Sequence, residues 1–211
     1  MIFSEEQINN LRNDISSKMS EKRFRHTAEV EKMVERLADI YAPDKKDVLR
    51  VSALLHDITK EFSIEKQLQI CEEFGIITTK QDILTPKTLH AKTAALLIPV
   101  LYPQFATDEV ISAVRWHTTG RADMTLSQKL VYLADYIDES RTFSDCAKLR
   151  QMFFEPNLME MNEGDRLLHL NKVLVTSFDM TICGLIKDNV LISEDTVSAR
   201  NSLVAEVCGE A

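Results

Sequence analysis

The sequence predicts an all-α protein, a single helical bundle with further C-terminal helices packed on it. Three observations carry this: apolar residues recur at helical spacing almost throughout, Ser and Thr caps precede the periodic segments, and no segment alternates convincingly as a strand. Ser4-Glu5-Glu6-Gln7 reads as a capping box, and Ile8, Leu11 and Ile15 follow on one face of a first helix. After Ser20, Val30, Met33, Val34, Leu37 and Tyr41 form a second stripe, and His26 points with it, four and seven residues before Val30 and Met33. Pro43-Asp44 ends that helix. A third runs through Val48, Val51, Leu54, Leu55 and Ile58, with His56 and Asp57 near its C-terminal end.

Ser63 is placed to cap a fourth helix, with Ile64, Leu68, Cys71 and Phe74 on one face and Gly75 just past its end. Residues 76–86 read as a connecting loop. Thr85-Pro86 starts the next helix, through His90, Ala94, Leu97 and Ile98, before Pro99 and Pro103 interrupt it. Thr107-Asp108-Glu109 supplies a cap and an acidic first turn for a helix whose Val110, Val114 and His117 share a face. Thr118-Thr119-Gly120-Arg121 is a turn. From about Thr125 a helix buries Leu126, Leu130, Leu133, Ala134 and Ile137, with Asp135 and Asp138 on an adjoining face. A long amphipathic helix over roughly 166–187 and a last one after Ser193 complete the chain.

Composition bounds the function classes. A chain of 211 residues that is 45% hydrophobic buries a core without disulfide staples, and Cys71, Cys146, Cys183 and Cys208 show no paired spacing, so reduced thiols are expected. The acidic N-terminal stretch lacks the basic region of a signal peptide, and no apolar run reaches membrane-span length, so a cytoplasmic protein is expected. A net charge of −8 argues against a nucleic-acid surface, which needs clustered cations, but leaves room for a small phosphorylated ligand.

The chemistry lies in an ordered series: His26, His56-Asp57, His90, His117 and Asp135. Imidazole and carboxylate groups ligate catalytic divalent metals, and six are more than one open site needs, so two metals are expected. His56 and Asp57 are adjacent and diverge by about 100° on a helix, so they chelate only where other helices surround the ion. His26 and Asp135 suit a first metal with them, His90 and His117 a second, and Asp57 has two oxygens with which to bridge. A lone histidine at a helix boundary is commonly a surface group. Nearly all the histidines placed beside two aspartates that interrupt apolar runs, SALLHDIT and YLADYID, are hard to explain by packing, because unpaired buried carboxylates are costly.

The order H…HD…D resembles the HD-domain superfamily of metal-dependent phosphohydrolases, which is all-helical. RFRHT, ALLHDITK, LHAKTAALL, AVRWHTTGR and KLVYLADYIDESR resemble more narrowly its YqeK branch, the symmetrical bis(5′-nucleosyl)-tetraphosphatases, over about residues 22–150. DTVSARNSL is similar to that family's closing segment. The resemblance implies an N-terminal helix at 1–20, an HD core at 21–150 and a C-terminal extension of the same domain at 151–211. It implies His26, His56, Asp57 and Asp135 as ligands of one metal, His90 and His117 of the other, and iron as the metal, although N/O donors also suit manganese or another divalent ion.

The implied reaction splits diadenosine tetraphosphate into two ADP by attack of a water activated at the metals. The implied reacting groups are Asp57, Lys60, His90 and His117, and the substrate contacts are His26, Lys60, His90, Arg115, Thr118, Thr119, Arg121 and Arg141. The expected partner is therefore a dinucleoside polyphosphate, or ADP or GDP, with a homodimer as a further possibility. Asp138 stands where the family carries a longer carboxylate, and the following proline is missing, which bears on its reach. His169 matches no ligand position. Three readings compete: another HD-type nucleotide phosphohydrolase such as a 5′-nucleotidase or dNTP hydrolase, a di-iron oxygenase, and a non-catalytic nucleotide sensor.

Overall fold

The computed structural model describes residues 2–209, and among these the regular structure is helical with no strand. Helix α1 (Glu5–Lys18) begins at the Ser4 capping box, and α2 (Glu21–Tyr41) begins at Ser20, whose side chain accepts from the Arg23 N–H. A short 3-10 turn at Pro43–Lys45 leads into α3 (Lys46–Leu55). Next come α4 (Ile64–Glu73), α5 (Lys80–Leu84) and α6 (Leu89–Leu101), then α7 (Asp108–Trp116), α8 (Leu126–Ile137), α9 (Ser144–Phe154), α10 (Glu163–Lys187) and α11 (Glu194–Cys208).

Helix α3 organises the molecule because every residue from Asp47 to Leu55 is buried. Its Leu49 and Ala53 join a core built with α2, α8, α9, α10 and α11 around Leu37, Leu133, Phe153 and Phe178. Val48, Val51, Leu54 and Leu55 face a second core with Ile8, Ile15, Ile98 and Val114 from α1, α6 and α7. Each fully buried Leu contributes about 2 kcal/mol through lost apolar hydration, so the helix is held from both sides. A helix enclosed in this way delivers the residues at its C-terminal end to the interior. Its polar residues are paired: Asp47 accepts from the Phe3 N–H at 2.7 Å, and Arg50 joins Glu31 at 3.1 Å.

The structure departs from the expected elements at five places. Helix α3 ends at Leu55, so His56 is its cap residue and Asp57 lies in the turn that follows. The presumed loop at 76–86 contains α5, whose first turn is closed by the Asp82 carboxylate accepting from both the N–H and the hydroxyl of Thr79. The face Ile64, Leu68, Cys71, Phe74 is only partly buried: Cys71 is enclosed, while Ile64 and Phe74 are exposed. Pro99 lies inside α6, where the bond its missing N–H forfeits falls in the last turn, and a 3-10 turn at Pro103–Phe105 follows. Helix α9 had no sequence assignment; its cap is Phe143, which offers no side-chain acceptor, so the usual start signal is missing.

The C-terminal helices press against the turn after α7. Gly120 has φ +62°, and a Cβ there would lie 2.6 Å from the Phe178 ring and 2.9 Å from the Ala199 Cβ. Only glycine fits. The described residues contain no helix long and apolar enough to cross a membrane.

Candidate metal centre

Five helices bring their ends or inner faces to one point. Helix α2 presents His26, the end of α3 presents His56 and Asp57, α6 presents His90 in its first turn, the end of α7 presents His117, and α8 presents Asp135. All six expected residues are brought together. Among the described residues, ligand atoms within 4.8 Å of one another group as His26-His56-Asp57, as His56-His117-Asp135, as Asp57-His90-His117 and as His26-Asp135-Asp138. His117 thus reaches both halves of the cluster, an overlap that a simple division into four residues and two does not anticipate.

Three of the histidines share one device. The Nδ1 atoms of His56, His90 and His117 lie 2.6, 2.8 and 2.7 Å from the carbonyl oxygens of Ala53, Lys87 and Val114, each three residues earlier. A carbonyl only accepts, so Nδ1 carries the proton in each ring and Nε2 presents a bare lone pair to the interior. The Nε2 atoms of His90 and His117 face each other at 3.0 Å. Two acceptors at that distance repel unless a cation lies against both, and Thr118 Oγ1, at 3.1 and 3.0 Å, has one proton for the two. The Nε2 atoms of His26 and His56 are buried with no directed hydrogen bond, although Asp135 Oδ1 and Asp57 Oδ2 lie at 2.9 and 3.3 Å. The donor set fits divalent cations.

Asp57 divides its oxygens between the two halves. Oδ1 lies 3.2 Å from His90 Nε2 and 3.9 Å from His117 Nε2, while Oδ2 lies 3.3 Å from His56 Nε2 and 3.8 Å from His26 Nε2. Burial works to raise the Asp57 and Asp135 carboxyls, but interactions with the His56 and His90 imidazoles and Lys60 for Asp57, and with Arg141 for Asp135, outweigh it and hold both well below the usual range. Burial pushes the imidazoles of His90 and His117 down, His117 to about 4, which keeps them neutral and able to ligate. His26 behaves oppositely: burial lowers it, yet Asp135 at Nε2 and Asp138 at Nδ1 outweigh burial and raise it to about 9.

Lys60 Nζ lies 3.1 Å from His90 Nε2, and Arg141 Nη2 contacts Asp135 Oδ1 at 2.6 Å. Burial lowers the Lys60 ammonium. Both cations line a cavity of about 490 Å³ together with His117, Thr118 and Asp135, so the cluster opens onto a volume of ligand size. Arg115 and Thr119 line a separate cavity of about 150 Å³ instead, with the Arg115 guanidinium 3.9 Å from the Trp116 ring centre. Arg121 is exposed and donates to its neighbour's carbonyl, Ala122 O, at 3.0 Å.

Sequence reasoning missed Arg23, whose Nη1 lies 2.7 Å from Asp57 Oδ2. The available signal was its position one helical turn before His26 on α2. Asp138, despite its shorter side chain, is fully buried and places Oδ2 3.4 Å from His26 Nδ1. His169 is remote from the cluster, its Nε2 3.1 Å from the Phe153 carbonyl oxygen, so it acts as a donor there. His169→Ala is expected to leave turnover within about twofold of the parent, since changes away from a site shift energies by only about 0.5 kcal/mol. A folded His169→Ala protein without activity would show that the ligand set is misassigned.

A family model, the HD domain, matches residues 23–140. The symmetrical bis(5′-nucleosyl)-tetraphosphatase of Halalkalibacterium halodurans is 30% identical over 89% of this chain and 92% of its own. The proteins of the same description from Staphylococcus aureus and Bacillus subtilis are each 29% identical, covering 87% and 90% of this chain and 88% and 94% of theirs. Among solved structures, a predicted HD superfamily hydrolase involved in NAD metabolism from Clostridium acetobutylicum superimposes with a TM-score of 0.80 at 30% identity, covering 97% of this chain and 98% of that one.

Proposed function

The chain belongs to the HD domain family, grouped over most of its length with the symmetrical bis(5′-nucleosyl)-tetraphosphatases, and on that premise we propose that it hydrolyses diadenosine tetraphosphate and related dinucleoside tetraphosphates to two nucleoside diphosphates. One observation carries the reading: four imidazole Nε2 atoms and the divided oxygens of Asp57 gather in one cluster, whose His117 and Asp135 line a cavity that also holds Lys60 and Arg141. His26, His56, Asp57 and Asp135 would hold one divalent ion, and His90 and His117 a second, with Asp57 between them. Iron is the proposed metal, and manganese is compatible with the same donors. When bound, the ions supply a water made nucleophilic at neutral pH and neutralise charge on the reacting phosphoryl oxygens.

The chain's own residues do the rest. Arg23 and Arg141 fix the carboxylates of Asp57 and Asp135, so each presents its remaining lone pairs to the cluster. Lys60, lowered by burial, is suited both to bind the phosphates and to give a proton to the departing nucleoside diphosphate. Thr118 offers a hydroxyl at the same point. Attack falls on the second phosphate from one nucleoside, and the bond to the oxygen bridging the second and third phosphates breaks. Arg121, exposed just beyond Thr118, would contact the more distant half of the elongated substrate, whereas Arg115 and Thr119 line the separate cavity. We place the reaction in the cytoplasm, in keeping with four free cysteines.

The test is a product assay. Metal-loaded protein incubated with diadenosine tetraphosphate is expected to yield ADP alone by anion-exchange chromatography. AMP with ATP would mean asymmetric cleavage and would contradict the proposal; no cleavage, with hydrolysis of nucleoside monophosphates instead, would favour the nucleotidase reading.

A further inference from the structure

The cavity that opens on the cluster is lined by both charged and aromatic side chains. Lys60, Asp135 and Arg141 share its wall with Tyr132, Tyr136 and Phe143. Tyr132 is locked into the core, its ring stacked on Phe178 at 4.5 Å and on Tyr136 at 6.4 Å. Phe143 is different, since 71% of its surface is open. A single exposed phenylalanine on a protein surface is ordinary. One on the wall of the cavity that holds the reactive groups presents an apolar ring face where a ligand would lie.

Its mounting is rigid. Phe143 is the residue before α9, and α9 is anchored by Cys146, Leu149 and Phe153 in the core. Arg150, from the same helix, donates to the carbonyl oxygens of Ile137 at 2.6 Å and Arg141 at 3.0 Å, tying the start of α9 to the end of α8. The backbone that carries the ring is therefore tied to the end of α8, the helix that supplies Asp135. An aromatic ring and phosphate-binding cations on the wall of one cavity match a nucleotide, whose base and phosphates are joined by a short ribose. Base stacking on aromatic side chains tolerates any base, because every base has a π-face.

We propose that Phe143 is the stacking platform for one nucleobase of the substrate, with Tyr136 forming the adjoining wall, so that the cavity is a nucleoside subsite. The assignment rests on the hydrolase reading for the identity of the substrate, but its binding test does not require turnover.

The experiment compares the parent with Phe143→Ala and Phe143→Tyr. For Phe143→Ala, KM for diadenosine tetraphosphate is expected to rise about tenfold with kcat within about twofold, from the energy of one lost stack. Calorimetric titration of manganese-loaded protein should show ADP binding weakened by a similar factor and pyrophosphate binding unchanged. Phe143→Tyr should restore both. Unchanged KM and ADP affinity in Phe143→Ala would overturn the proposal, as would equal weakening of ADP and pyrophosphate, which would point to a general disturbance of the site. If the parent protein does not cleave the tetraphosphate, the hydrolase reading fails, and the comparison of ADP with pyrophosphate still decides the subsite.

Discussion

Replacing Asp57 by asparagine is expected to lower turnover by about a thousandfold or more while the protein stays folded. The substitution keeps the shape of the side chain and removes its charge. Each Asp57 oxygen lies within 4 Å of two imidazole Nε2 atoms on its own side of the cluster, so one change weakens both proposed ion sites together. Loss of about 4 kcal/mol of charge stabilisation in the transition state, within the range attributed to metal Lewis acids, corresponds to roughly that factor. The fold should survive because Arg23, the direct partner of Asp57, retains access to water through a side chain that is 28% exposed. Steady-state kinetics with a parallel circular-dichroism melt checks the prediction. A folded variant within tenfold of the parent would remove Asp57 from the mechanism.

Metal removal is the second large effect. Dialysis against a chelator should abolish hydrolysis, and added manganese or ferrous iron should restore it. The stripped protein is expected to remain helical, because the two hydrophobic cores on either side of α3 do not depend on the cluster. Small zinc domains, which unfold without metal, behave differently. In the stripped protein His26 holds a proton up to about pH 9, because Asp135 and Asp138 outweigh its burial.

That shift fixes two signs. A histidine whose folded pKa is raised adds stability that is fully present below the unfolded value near 6.5 and is lost as pH rises through about 9. The stripped protein should therefore lose this contribution between about pH 6.5 and 9, whereas metal affinity should rise over the same interval as the competing proton leaves. Calorimetric metal titrations at pH 7 in buffers of different ionisation enthalpy should show net proton release. Uptake free of protons at pH 7 would show that His26 is not a ligand.

Of the helices that position the site, α2, α7 and α8 were legible from side-chain caps, whereas α3 and α6 have none and were legible from apolar spacing. Ser4, Ser20, Ser63, Thr107 and Thr125 all cap helices as their sequence context predicts. The six-residue cluster was legible for another reason: buried imidazoles and carboxylates need compensation, so their accumulation on core-facing positions is informative. What escaped were features set by tertiary packing. Helix α9 starts just after Phe143, where no side chain caps the first turn, and Arg23 pairs with Asp57 across 34 positions of sequence. The shared i−3 bonds of His56, His90 and His117 depend on where α3 and α7 stop, and helix ends are the least certain part of a pattern reading. The separation of Arg115 and Thr119 from the main cavity likewise depends on how the turn at Gly120 packs against Phe178 and Ala199.

In the proposed reaction His90 and His117 give this cluster a second ion, shared through Asp57. Elemental analysis of reconstituted protein, made alongside activity for the parent and for His90→Ala, tests it most directly. Two divalent ions per chain are predicted for the parent, with loss of one ion and most of the turnover in His90→Ala. A single ion per chain at full activity, unchanged in His90→Ala, would contradict it.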